Sequence, residues 1–127
     1  ISPRESHRME QLKTIIDYID KNYSRDISLT DLAKTVDLSP QYICRIFKEC
    51  MNMRPFEHLT KKRIYEAKNL LLDTELSISD VSRAVGYNDC SYFCAVFKKQ
   101  ENVSPAEYRM IYAEHRNKVR RSGGKHA

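Results

Sequence analysis

Two cysteines, Cys90 and Cys94, stand four residues apart in the stretch DCSYFCAVFKK, residues 89–99. On a helix that spacing puts both thiols on one face, as a metal chelate or a redox pair would require. A structural zinc site needs two further ligands, and His7, His58, His115 and His126 supply no HxxxH or CxxC companion. A disulfide is badly placed as well, because helical neighbours at this spacing lie farther apart than the roughly 3.8 Å its Cβ atoms require. The other cysteines are Cys44 and Cys50, and all four fall inside helical patterns, so free thiols in a reducing compartment are expected. Cys50 falls on the inward side of its pattern and reads as a small core residue. No basic pair marks Cys44 or Cys94 as a low-pKa nucleophile. The chain has no Gly-rich phosphate loop, nucleophile elbow or HExxH, so no enzyme activity, metal or cofactor is expected.

The elements that carry these cysteines repeat. ISLTDLAKTV (27–36) aligns with LSISDVSRAV (76–85), and PQYICRIFKECMNMRPFEHL (40–59) aligns with CSYFCAVFKKQENVSPAEYR (90–109). About ten of thirty positions are identical, among them Tyr42/Tyr92, Phe47/Phe97, Lys48/Lys98, Asn52/Asn102 and Pro55/Pro105. Shared apolar positions would follow from helical periodicity alone; shared Tyr, Lys, Asn and Pro would not. Each copy reads as two short helices joined by a tight turn. Ser28 and Ser77 each precede an acid by three residues, Asp31 and Asp80, in the manner of a capping box. Gly86 supplies a left-handed turn residue, with Asp37 at the matching place. The second helices start at Ser39-Pro40 and Asp89-Cys90.

Three more helices frame the copies. Met9, Leu12, Ile16, Ile19 and Tyr23 form an apolar stripe before the first. A linker helix starts at Pro55, with Leu59, Ile64, Ala67 and Leu71 as its buried candidates. A last helix opens with Ser104, Pro105 and Glu107, followed by Tyr108, Ile111 and Tyr112. No stretch shows sustained strand alternation, so the fold class is all-α with seven helices. The 127 residues suit one domain, with 41% hydrophobic and 31% charged residues, and no apolar run approaches the roughly 18 residues of a membrane span. A cytoplasmic protein is expected. The net charge of +5 sits in residues 115–127, which hold five Lys/Arg and no acid, so global charge says little about the partner. That tail is expected to be mobile, either a solvated end or a source of nonspecific DNA affinity.

Periodicity leaves one face of each second helix free. Ile43, Ile46 and Phe47 turn inward, leaving Gln41, Cys44, Arg45 and Lys48 outward; Phe93, Val96 and Phe97 turn inward, leaving Ser91, Cys94, Ala95 and Lys98 outward. A linker of about 17 helical residues spans roughly 26 Å, of the order of one turn of B-DNA, roughly 34 Å. Direct readout then has candidates: Gln41 for adenine, Arg45 for guanine, and Cys94 and Ala95 for a thymine methyl. Lys48, Lys98 and Lys99 suit phosphates, as do the helix N-termini capped by Ser39 and Asp89. The alternative is a helical protein-interaction module whose basic residues are merely solvated; recurrence of the pattern on the helix after a tight turn favours DNA.

LTDLAKTVDLSPQYICRIFKE (29–49), RIYEAKNLLLDTELSISDVSRAVGY (63–87) and DCSYFCAVFKKQENVSPAEYR (89–109) together resemble the DNA-binding domain of AraC/XylS family bacterial transcription regulators. The resemblance implies a homeodomain-like, AraC-type fold over residues 8–113. A first helix-turn-helix subdomain occupies about 8–54, a linker helix about 55–73 and a second subdomain about 74–113, with flexible ends over 1–7 and 116–127. It also implies two recognition helices in adjacent major grooves of promoter DNA. Base-reading places fall on Gln41, Cys44 and Arg45, and on Cys90, Ser91, Cys94 and Ala95. Asp37 stands where glycine is frequent, Arg54 where the second copy has Ser104, and Ala95 where some members carry Arg. The second head is therefore expected to discriminate less. The chain begins ISPRESHRMEQL without an initiating Met, as a fragment of a longer regulator would. The expected fragment is monomeric, an activator in function, with RNA polymerase as a candidate partner and dimerisation left to a preceding sensory domain.

Overall fold

A computed structural model describes residues 2–113, all helix, turn or irregular segment with no strand among them. The flexible end expected over 116–127, and the basic tail with it, lie outside the described residues. Six helices are bounded as α1 (Pro3–Asn22), α2 (Leu29–Val36), α3 (Pro40–Met51), α4 (Pro55–Asp73), α5 (Ile78–Ala84) and α6 (Cys90–Glu101). A seventh, α7, runs through 105–113, the last described residues. The chain divides into two compact units between Arg63 and Ile64.

In the first unit α1 begins earlier than expected. The Ser2 hydroxyl accepts the Glu5 N–H at 3.2 Å and Pro3 takes the first helical position, so residues 3–7, assigned from sequence to a flexible end, are helical. The stripe of α1 is also rotated. Leu12, Ile15 and Ile19 are buried, Ile16 is half-buried, and Met9 is 55% exposed. At 3.6 residues per turn Met9 lies roughly 60° around the helix from Leu12, on the side away from Ile15, and so faces outward. The buried trio joins Ile27, Leu32, Ala33, Ile43, Phe47 and Leu59 in one apolar cluster, which includes the first turns of α4. Cys50, expected in the core, is exposed: in the last turn of α3 it meets the Arg8 guanidinium at 3.9 Å rather than the apolar cluster.

The α2 start is a complete capping box. Ser28 Oγ accepts the Asp31 N–H at 3.1 Å, and Asp31 Oδ2 accepts the Ser28 N–H at 2.9 Å. Hydrogen bonding to Ser28, its backbone N–H first and its side chain second, holds the Asp31 carboxyl below its ordinary value. Both tight turns use the same device. Asp37 (φ 53°) and Gly86 (φ 106°) both adopt positive φ. The following residue bonds back to its helix, Leu38 N–H to the Ala33 carbonyl at 3.2 Å and Tyr87 N–H to the Ser82 carbonyl at 3.0 Å. Asp37 thus takes the turn without glycine, a conformation Asp reaches at modest cost.

In the second unit Ile64, Ala67 and Leu71 of α4 are buried, as are Val81, Val85, Phe93 and Phe97. Phe93 and Phe97 continue an aromatic series from Tyr87 at one end to Tyr108 at the other, with centroid spacings of 5.5 to 5.9 Å. Ser104 and Glu107 form a complete box at the start of α7, with both bonds at 3.1 Å. At the start of α4 Arg54 stands in place of the serine, and only the reverse bond exists, Arg54 N–H to Glu57 Oε1 at 3.2 Å. Ile111 and Tyr112 of α7 are exposed, and Tyr108 is half-buried.

Two arginines close the helices that precede each copy. Arg63 donates from Nε to the Tyr23 carbonyl at 2.8 Å and from Nη2 to the Arg25 carbonyl at 2.9 Å. Arg109 does the same at the end of α4, to the Leu71 carbonyl at 2.9 Å and the Thr74 carbonyl at 3.5 Å. Cations bonded to the last carbonyls of a helix satisfy its orphan acceptors and oppose its negative end.

Candidate nucleic-acid interface

α3 and α6 each follow a tight turn and bury one side. Ile43, Ile46 and Phe47 are buried in α3; in α6 Phe93 and Phe97 are buried and Val96 is half-buried. The opposite sides carry the residues singled out from sequence. Gln41, Cys44, Arg45 and Lys48 are exposed on α3, and Ser91, Ala95, Lys98 and Lys99 are exposed on α6, while Cys90 and Cys94 are half-buried. Within each unit, then, the exposed members of the set share one open face, while Cys90 and Cys94 lie toward the buried edge of α6.

The helix starts are more committed than their sequence suggests. Ser39 Oγ accepts the Tyr42 N–H at 3.2 Å. Asp89 Oδ1 accepts both the Ser91 N–H at 2.9 Å and the Tyr92 N–H at 3.2 Å. A phosphate approaching α6 therefore meets a carboxylate that already holds two of the first amides, and like charge opposes it. Lys48, Lys98 and Lys99 all lie in the exposed rows.

Sequence reasoning missed the partner of Arg45. Its Nε donates to Glu49 Oε1 at 3.0 Å, one turn on, while Arg8 of α1 binds the other carboxylate oxygen of Glu49. The hydrogen bonds from Arg45 and then Arg8 hold the Glu49 carboxyl below its ordinary value. The Arg45 side chain remains 73% exposed, so its terminal nitrogens are accessible while Nε is held. The i, i+4 spacing of Arg45 and Glu49 was readable in the sequence; the contribution of Arg8, 41 residues from Glu49, was not. In the second unit Lys99 stands at the position of Glu49, and Glu101 is turned to Lys68 of α4 at 3.0 Å. Tyr92, 61% exposed, flanks the α6 row and rests against Tyr87 with ring centroids 5.9 Å apart.

Among the described residues no group of three or more His, Cys, Asp or Glu could hold a metal ion. No described helix is long and apolar enough to cross a membrane.

Residues 32–111 match the family model of a helix-turn-helix domain. Over 100 residues the chain is 38% identical to the lactose operon transcription activator of Staphylococcus xylosus, covering 79% of this chain and 36% of that protein. The C-terminal domain of AraT, a response regulator from Geobacillus stearothermophilus, matches with a TM-score of 0.76 at 37% identity, over 79% of this chain and 84% of that one. The DNA-binding domain of AdpA, solved in complex with a target DNA, shares the fold with a TM-score of 0.78 at 23% identity, over 84% and 96% of the two chains. The chain belongs to the AraC-type helix-turn-helix family, the DNA-binding domains of transcription regulators. It spans about a third of the length of the curated relatives it matches, 36% of each of the first two.

Proposed function

We propose that residues 8–113 are the sequence-reading module of a transcription regulator, with α3 and α6 as its two recognition helices in adjacent major grooves of promoter DNA. The observation that carries this reading is the recurrence of one arrangement: a helix after a left-handed turn, its aromatic and aliphatic side buried and its polar row open, in both units. Gln41, Cys44 and Arg45 read bases from α3; Cys90, Ser91, Cys94 and Ala95 read from α6, mostly through apolar contact. Lys48, Lys98 and Lys99 hold phosphates, with a smaller share for the amides at the α3 and α6 starts beside Ser39 and Asp89. The role is non-catalytic and needs no cofactor, and the compartment is the bacterial cytoplasm. Similarity to a lactose operon transcription activator supports activation as the output; the protein partner of such an output is RNA polymerase. The isolated chain is a monomer, and any dimer forms through another domain.

Selection of bound sequences from a random duplex library, followed by titration at several salt concentrations, tests this. The expected result is a motif with two half-sites. Each phosphate contact adds roughly 0.9 to the steepness of log affinity against log salt, so Lys48→Ala and Lys98→Ala each flatten that slope by about one contact. Absence of binding to every duplex at low salt overturns the reading in favour of a protein-interaction module.

A further inference from the structure

Cys90 and Cys94 are the sequence's one thiol pair at helical spacing, and DNA reading uses them only as small neighbours of base edges. Both are free and half-buried on α6, one turn apart. Cβ atoms at that spacing lie roughly 5 to 6 Å apart, too far for a direct S–S bond but within span of two sulfurs bonded to one intervening soft atom. The first unit is a built-in control. Cys44 is the twin of Cys94, but Pro40 stands where Cys90 does, and Cys50 is six residues from Cys44, on another side of α3.

We propose that Cys90 and Cys94 form a dithiol chelate site for a thiophilic centre that binds two sulfurs, a trivalent organoarsenic or a mercuric ion, and that occupation obstructs the open face of α6. With an organoarsenous acid two As–O bonds break and two As–S bonds form, and each departing hydroxyl leaves with a thiol proton as water. With mercuric ion two S–Hg bonds form and two protons pass to solvent. Neither reaction needs an oxidant or a reductant. Burial, and then the neighbouring Cys90, push the Cys94 thiol up from its ordinary value, so it enters as the neutral thiol that this balance assumes. Zinc is not the expected occupant, since it demands four ligands and no third His, Cys, Asp or Glu joins the pair among the described residues. Fixing both thiols on one helix makes the second bond intramolecular, with an effective concentration of the order of mM, so a dilute monothiol competes poorly.

Phenylarsine oxide is the probe. Intact mass and thiol titration should give one phenylarsenic adduct per chain with loss of two thiols, stable to dilute glutathione and removed by a small dithiol. Cys90→Ser and Cys94→Ser, each checked for native helicity by circular dichroism, should lose the glutathione-stable adduct, whereas Cys44→Ser and Cys50→Ser should keep it. Pro40→Cys should create a second adduct on α3, beside Cys44. Equal retention in Cys90→Ser, or an adduct that requires Cys44 or Cys50 instead, overturns the assignment. Because mass needs no DNA, these outcomes are separate from the DNA reading. On a selected duplex, the reagent should lower the affinity of the unsubstituted chain at least tenfold and leave that of Cys90→Ser at its own starting value. An adduct without that loss overturns the obstruction.

Discussion

Glu49 holds Arg45 by the Nε of its guanidinium, at 3.0 Å, while its second carboxylate oxygen is held by Arg8. An arginine free to swing loses rotamer entropy on meeting a base, whereas one held at Nε presents its two terminal nitrogens in a reduced set of positions. The same carboxylate places a negative charge beside the expected path of a phosphate backbone. On the proposed reading, Glu49 trades affinity for discrimination. In Glu49→Gln, binding to all duplexes should strengthen several-fold at low salt while preference at the base read by Arg45 falls several-fold. Arg45→Ala should abolish that preference, a loss of about 1 to 3 kcal/mol at one position. Competition against single-base variants of a selected site measures both; uniform weakening by Arg45→Ala would assign Arg45 to phosphate.

Ser82 is buried at 1% exposure, and its hydroxyl has no hydrogen-bond partner. The first copy has Ala33 at the same place. A buried hydroxyl without a partner carries an uncompensated desolvation cost, and alanine also favours helix. Ser82→Ala should stabilise the chain by about 1 kcal/mol in denaturant unfolding with an unchanged slope. A loss of stability would mean that the hydroxyl makes a compensating bond in solution.

Arg109 bonds the Leu71 carbonyl in the last turn of α4 and the Thr74 carbonyl just beyond it. Arg109→Ala leaves acceptors exposed or unsatisfied and should destabilise by about 1 to 3 kcal/mol. Lysine at this position offers one ammonium in place of a fork and should recover only part of the loss. Hydrogen exchange of the α4 and α5 amides distinguishes this local effect from general unfolding. No change in exchange there would remove Arg109 from the closing role.

The capping acids Asp31 and Glu107 have carboxyls held below their ordinary values by bonds from Ser28 and Ser104. With the folded pKa below the unfolded one, the unfolded chain binds more protons on acidification. Their contribution is complete above the unfolded values of roughly 4 and is lost as pH falls through the lower folded values. Thermal midpoints should therefore hold from neutrality to about pH 5 and decline below about pH 4. Asp31→Asn should make the acid decline shallower, and an unaltered decline would show that other groups control it.

Most of this architecture was legible because it is local. The boxes at Ser28 and Ser104, the turn at Gly86 and the linker's Leu59, Ile64, Ala67 and Leu71 follow from residue type and helical spacing alone. Met9 and Cys50 were misread because each sits near the edge of its stripe, where packing by a distant segment decides exposure. Arg8, Arg63 and Arg109 were illegible for the same reason: their partners lie 35 to 42 residues away in sequence. The open rows of α3 and α6 could be read from periodicity. The pairing of Arg45 with Glu49 and the cap at Asp89 were readable as well, whereas the second hold on Glu49, from Arg8, follows from packing between distant segments.

The replacement of Glu49 by Lys99 at matching positions has a consequence for the order of events on DNA. On the proposed reading, α6 presents Lys98 and Lys99 with its own helical acid turned to Lys68, whereas the arginine of α3 is partly neutralised by Glu49. Charge of that kind governs how fast a protein captures a polyanion, and aligned base contacts govern how long it stays. On that reading the α6 unit favours arrival and the α3 unit residence, a kinetic division between two copies of one helix-turn-helix pattern.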